Sequence, residues 1–126
     1  MNPTGGLEML AHILDTASLR HQVIAQNVAN VNTPGYRRLA VAFSDDLARV
    51  LAASGGGQPG GTHPGGGAVA AKPRVVVEDG PERVDGNTVD IDREMNDLSK
   101  NALLYQAAAQ IVANRIGSLR AAIAGR

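Results

Sequence analysis

Residues 91–123 read IDREMNDLSKNALLYQAAAQIVANRIGSLRAAI, and the reading of this stretch decides the fold. Ile91, Met95, Leu98, Ala102, Tyr105, Ala109, Val112, Ile116, Leu119 and Ile123 recur at alternating steps of four and three. A seam kept in register over more than about four heptads marks a coiled-coil helix. The same alternation appears near the other end in Leu7, Leu10, Leu14, Ala17, His21, Ile24, Val28 and Val31. His21 is its only polar member, and a histidine in such a stripe is expected to be partly buried and hydrogen-bonded. At 1.5 Å of rise per residue the two helices would run roughly 50 Å and 35 Å. Two rods of that length do not make a ball. The expected fold is mainly α, an antiparallel coiled-coil pair of N- and C-terminal helices with apolar surface left over.

The first helix ends at a breaker. Asn30, Asn32, Thr33, Pro34, Gly35 and Tyr36 follow its last apolar position. Pro34 disfavours the α region for Thr33, and Pro-Gly suits the middle of a type II turn. Leu39, Val41 and Phe43 then alternate with Arg38, Ala40 and Ala42, as an extended stretch does. Ser44 reads as the cap of a short helix through Leu47, Val50 and Leu51, with Asp45 and Asp46 in its first turn. Eight glycines fall between Gly55 and Gly67, which predicts a flexible Gly-rich loop. Val75, Val76 and Val77 read as a strand, Glu78-Asp79-Gly80-Pro81 as a turn, and Arg83-Val84 as a short return strand. Asp85-Gly86-Asn87 is a further turn, leading to Asp90 or Asp92 as the cap of the last helix. The expected division is 1–36 (N-terminal helix and breaker motif), 37–53 (extended stretch and short helix), 54–71 (flexible loop), 72–88 (small β-hairpin region) and 89–126 (C-terminal helix). These form one structural domain.

Composition narrows the function classes. The chain has 126 residues with no Trp, one Phe and two Tyr, so a core must be built from aliphatic side chains and alanine. Twelve basic and twelve acidic residues cancel, and no long-range field attracts nucleic acid or anionic lipid. Cysteine is absent, which removes disulfides and thiolate metal sites. The N-terminus shows no basic region followed by an apolar run, so no cleaved signal peptide is expected. The longest charge-free helical stretch, Asn101 to Asn114, is too short for direct membrane insertion.

Catalytic and metal constellations are not expected either. His12, His21 and His63 lack the i, i+4 spacing of a helical metal pair. A calcium loop starting at Asp85 would need glycine where Asp90 stands and glutamate where Asn96 stands. None of the serines lies in a Gly-x-Ser-x-Gly setting, and the Gly-rich segment lacks the lysine of a phosphate loop. The expectation is therefore no enzyme, no cofactor and no metal.

One run carries a resemblance. Ala25-Gln26-Asn27-Val28-Ala29-Asn30-Val31-Asn32-Thr33-Pro34-Gly35-Tyr36 resembles the N-terminal signature of flagellar rod and hook axial proteins. Asp85 to Met95 and Asn101 to Gln106, with Thr62-His63-Pro64, are similar to the proximal rod branch of that family. The chain has no room for the large β insertions of its distal members. The resemblance implies a structural subunit of the proximal rod of the bacterial flagellar basal body. It would be exported unfolded by the flagellar type III system and would polymerise in the periplasm. The partners so implied are further copies of the chain, other rod subunits, the basal-body adaptor at the rod base, and the export gate. Phe43 and Leu47 resemble the Phe-x-x-x-hydrophobic element with which early subunits dock on that gate.

The motif residues Asn27, Asn30, Thr33, Pro34, Gly35 and Tyr36 are expected at an interface between neighbouring helices, where the amides of Asn27 and Asn30 would fix register. Met95, Leu98, Tyr105, Val112, Ile116 and Leu119 are expected to form the C-terminal assembly seam. Another proximal rod subunit of the family, or a small coiled-coil secretion adaptor or chaperone, would also fit these patterns.

Overall fold

A computed structural model describes residues 5–43 and 72–125. The order of elements is α1 (Gly5–Ala29), β1 (Leu39–Ala42), β2 (Arg74–Val77) and α2 (Ile91–Ile123). The expected short helix from Ser44 to Leu51, including Leu47, and the Gly-rich segment 54–71 lie outside the described residues.

The helices form the expected antiparallel pair. Asn27 of α1 meets Glu94 of α2, Ala17 meets Asn101, and the guanidinium of Arg115 lies where a Cβ at Gly6 would stand. With 25 residues α1 is about 37 Å long, and with 33 residues α2 is about 50 Å. Asp90 caps α2: its Oδ1 accepts from the amides of Asp92 at 3.0 Å and Arg93 at 3.4 Å, satisfying two otherwise unpaired donors.

The inward face of α2 is rotated from the predicted seam. The buried positions are Glu94, Asn101 and Ala108, seven residues apart, flanked by half-buried Asp97, Leu98, Ala109 and Val112. Of the predicted seam, Met95, Tyr105, Ile116 and Leu119 are exposed. The template for a seam rewards apolar residues, whereas this pair takes its register from polar side chains, as described below. His21 also departs from expectation. It is exposed and makes no side-chain hydrogen bond among the described residues, sitting at the rim of an interhelical groove with Asn101, Ala102 and Tyr105.

The sheet corrects a second expectation. The partner of β2 is β1, antiparallel and in the register Leu39↔Val77 to Ala42↔Arg74. Arg83 and Val84 form no return strand; Val84 instead enters a turn, closed by the amide of Gly86 donating to Arg83 O at 2.8 Å. A hairpin within 72–88 is therefore not what forms. β1 supplies a longer partner that α1 already holds in place, and two residues could not match its ladder.

Two tight turns stack on each other between the helices in sequence, one after α1 and one before α2. Tyr36 N donates to Thr33 O at 3.2 Å, and Gly35 at the third position has φ +71°, as a type II turn requires. Gly86 has φ +79°, and a Cβ there would stand 3.4 Å from Gly35 Cα. The amide of Gly35 donates to Asp85 O at 2.8 Å and stitches the turns together. Gly86→Ala should lower unfolding stability by roughly 1–2 kcal/mol, read as a fall in the urea midpoint at unchanged m value. An unchanged midpoint would show that the stacked turns relax freely.

Candidate functional site: a buried polar knot

Among the described residues the largest fully buried side chains are Glu94, Asn27 and Asn87, not aliphatic ones. They lie together where α1 ends, β1 begins and α2 starts. Burial of polar groups is tolerated only when each finds a partner.

Asn27 does so completely. Its Nδ2 donates to Leu39 O at 2.8 Å and to Glu94 Oε2 at 3.2 Å. Its Oδ1 accepts from Leu39 N at 3.0 Å and from the Tyr36 hydroxyl at 3.2 Å. One amide thus joins the end of α1, the first residue of β1, the motif tyrosine and α2. The Tyr36 hydroxyl is pushed above its ordinary range by burial, with a further contribution from the Glu94 carboxylate.

Arg38 carries the charge that Glu94 needs. Its Nε bonds Glu94 Oε1, Nη1 bonds Glu78 and Nη2 reaches Asp97 Oδ2 at 2.9 Å. Its amide donates to Thr88 Oγ1 at 2.7 Å. Glu94 and Asp97 stand three apart on one face of α2, so a single guanidinium bridges both. Glu78, just after β2, also accepts from Arg93 at 2.6 Å, and that bond holds the Arg93 pKa above its ordinary value. Helices and strands are clamped by one charge array.

Asn87 closes the other side. Its Nδ2 lies 2.8–3.1 Å from the carbonyls of Asn30, Val31 and Thr33, and its Oδ1 accepts from Val89 N at 2.8 Å. Those carbonyls belong to the chain just past the end of α1, where helical partners run out. Farther along the pair, Asn101 Nδ2 donates to Ala17 O at 2.8 Å, while its buried Oδ1 has no partner among the described residues.

The motif residues are placed as follows. Asn27 crosses between the helices, whereas the Asn30 amide stays on its own helix and donates to Gln26 O at 2.8 Å. Thr33 Oγ1 donates to Asn30 Oδ1 at 3.2 Å, and Pro34 and Gly35 form the turn. Phe43 is buried at the end of β1. Sequence reasoning missed Arg38, Glu78, Asn87, Glu94, Asp97 and Asn101. A usable signal existed for two of them: Glu94 and Asn101 share the seven-residue spacing with Ala108, one position before the apolar seam.

Removing one partner of a buried ion pair leaves the other charge unpaired. Glu94→Ala should therefore destabilise the fold by about 3–5 kcal/mol in chemical unfolding. Asp97→Ala, whose carboxylate is about a third exposed, should cost less than about 1 kcal/mol. Equal effects of the two substitutions would contradict the hierarchy drawn here.

Comparison with known proteins fits this arrangement. The family described as "Flagella basal body rod protein" matches residues 14–37, which contain Asn27 and the turn. The flagellar basal body rod protein FlgB of Borrelia hermsii is 34% identical over 125 residues, covering 90% of this chain and 93% of the relative. FlgB of Cereibacter sphaeroides is 33% identical over 119 residues, covering 91% of each. FlgB of Bacillus subtilis (strain 168) is 27% identical over 97% of this chain and 95% of its own length. The chain belongs to the FlgB family of flagellar basal body rod proteins.

Proposed function

We propose that this chain acts as a non-catalytic structural subunit of the proximal rod, exported by the flagellar type III system and polymerised in the periplasm through its two terminal helices. The observation that carries the reading is the apolar surface of α2. Leu103 is 68% exposed, and Leu104, Tyr105, Ile111, Ile116 and Leu119 are each between 42% and 50% exposed. Between Ala102 and Ala113 the polar strip is Gln106 and Gln110, one turn apart, and most of the remaining circumference is apolar. Such a helix is stable in water only when something covers it. No described helix is long and apolar enough to cross a membrane.

Heterologous contacts between copies, or with other rod subunits, meet that need and extend without closing. At about 25 cal/mol per Å², covering one such side chain is worth roughly 1.5–3 kcal/mol, so a few of them suffice to hold a neighbour. The polar knot supports the reading from the other side. It gives the subunit a fixed end that needs no partner, while the exposed helix remains available. Phe43 is buried just after β1, and with Leu47 it is the proposed contact for the export gate.

Leu103→Asp separates folding from assembly, because Leu103 is among the most exposed apolar side chains of α2. The purified variant should keep the helical circular dichroism of the parent, while a strain carrying it should form no rods and fail to swim. Swimming at the parental rate would remove this face from the assembly.

A further inference from the structure

One edge of the small sheet is satisfied and the other is open. Glu78 N donates to Arg38 O at 2.9 Å, and the ladder continues as Leu39↔Val77, Ala40↔Val76, Val41↔Val75 and Ala42↔Arg74. Backbone groups alternate in direction along an antiparallel pair. Arg74, Val76 and Glu78 therefore turn theirs toward β1, while the amides and carbonyls of Val75 and Val77 point away from it. The same alternation turns Leu39 outward on β1. There Asn27 of α1 meets both its amide, at 3.0 Å, and its carbonyl, at 2.8 Å. Among the described residues nothing does this for β2. It pairs with β1 alone, all four of its residues are exposed, and Val75 and Val77 are 47% and 57% exposed. An edge of this kind is a template for a further strand.

The sequence around β2 says which strand fits. Residues 72–79 read KPRVVVED, basic before the valines and acidic after them. Two copies laid antiparallel bring Lys72 and Arg74 of one beside Glu78 and Asp79 of the other, whereas a parallel arrangement opposes like charges. The outward groups fix the register. Centred on Val76, Val75 of each copy stands opposite Val77 of the other, and each such pair exchanges two main-chain hydrogen bonds. A shift of two residues either way leaves one self-opposed valine pair within β2. It also draws in Pro73, which has no amide, or Asp79, beyond the end of the strand.

We propose that two copies of this chain pair through β2, antiparallel about Val76, into one four-stranded sheet. Leu39 and Val41 are half-buried and share a face with their ladder partners Val77 and Val75. The joined sheet presents these four aliphatic side chains from each copy on one continuous face. A ribbon of two short strands is marginal by itself, and pairing supplies the further strands it lacks. The contact is two-fold and closes on itself. It uses none of the exposed apolar side chains of α2 and stands independently of the rod reading.

The test measures dimerisation by sedimentation equilibrium in the full chain carrying Leu103→Asp, so that association through α2 does not contribute. This background should pass from monomer to dimer as its concentration rises. Val77→Pro removes an outward amide rather than one that bonds β1. It should lower the association constant at least about tenfold, with the urea midpoint close to that of the background. Val75→Lys with Val77→Lys sets like charges opposite each other and should have the same effect. Val75→Lys with Val77→Glu sets lysine opposite glutamate in this register, and should associate within about threefold of the background. If proline lowers the urea midpoint, the two charged double variants decide the matter between them. A background that stays monomeric up to millimolar concentration, a folded Val77→Pro chain that dimerises like the background, or equal association of the two double variants would each overturn the proposal. None of these results touches the rod reading, which the swimming of the Leu103→Asp strain tests separately.

Discussion

A guanidinium and a carboxylate, both withdrawn from water, set the geometry of this subunit. Arg38 stands just before β1 and Glu94 in the first turn of α2, 56 residues later, and each is the other's principal partner. Neither charge tolerates separation, because an isolated buried ion costs several kcal/mol. Everything attached to them inherits that constraint: the start of β1, the end of β2 through Glu78, and the beginning of α2 through Asp97 and Arg93. Asn27 adds α1 to the set without adding charge. An aliphatic core of the same size would hold these elements together but would allow them to slide. Directional bonds do not.

The stability of the subunit is consequently concentrated at one end. Near the knot, side chains are buried and paired. Toward the other end the buried residues become small, with Ala17 and Ala108 among the few, and α2 finally runs on past the described part of α1. A subunit built this way has one end defined by its own chain and one surface that asks for neighbours. Local opening is expected to start at the overhang rather than at the turns. For a basal-body rod subunit, which takes its place in a larger structure, that division is useful. Folding information sits in the knot, and the remaining burial comes from assembly.

Much of this was legible in the residues. Thr33-Pro34-Gly35-Tyr36 could form only a turn with a positive φ at its glycine, and it does. Asp90 or Asp92 read as the cap of the last helix, and it is the Asp90 carboxylate that performs that task. The two helices and their antiparallel sense followed from stripe length alone. The face of α2 did not, since an apolar count assigns hydrophobic residues to the inside, whereas here Glu94 and Asn101 occupy it and Ile116 and Leu119 remain outside. That inversion is physical. In a subunit that completes its burial with other molecules, the apolar pattern records the assembly as well as the monomer. The partner of β2 was hidden for a different reason: pairing across residues 44–71 leaves no local trace, while the nearby Arg83-Val84 offered an attractive but wrong alternative. Asn87 was hidden because a turn residue and a buried carbonyl clamp look alike in one sequence.

The central claim is that α2 from Leu103 to Ile123 is covered by other molecules in its working state. Hydrogen–deuterium exchange of the backbone amides measures this directly, in the isolated chain and in purified basal bodies containing it. The account predicts that amides of residues 103–123 exchange at least about 100-fold more slowly in basal bodies, while those of residues 94–98 beside the knot are already protected in the free subunit. Equal exchange of residues 103–123 in the two preparations would contradict it.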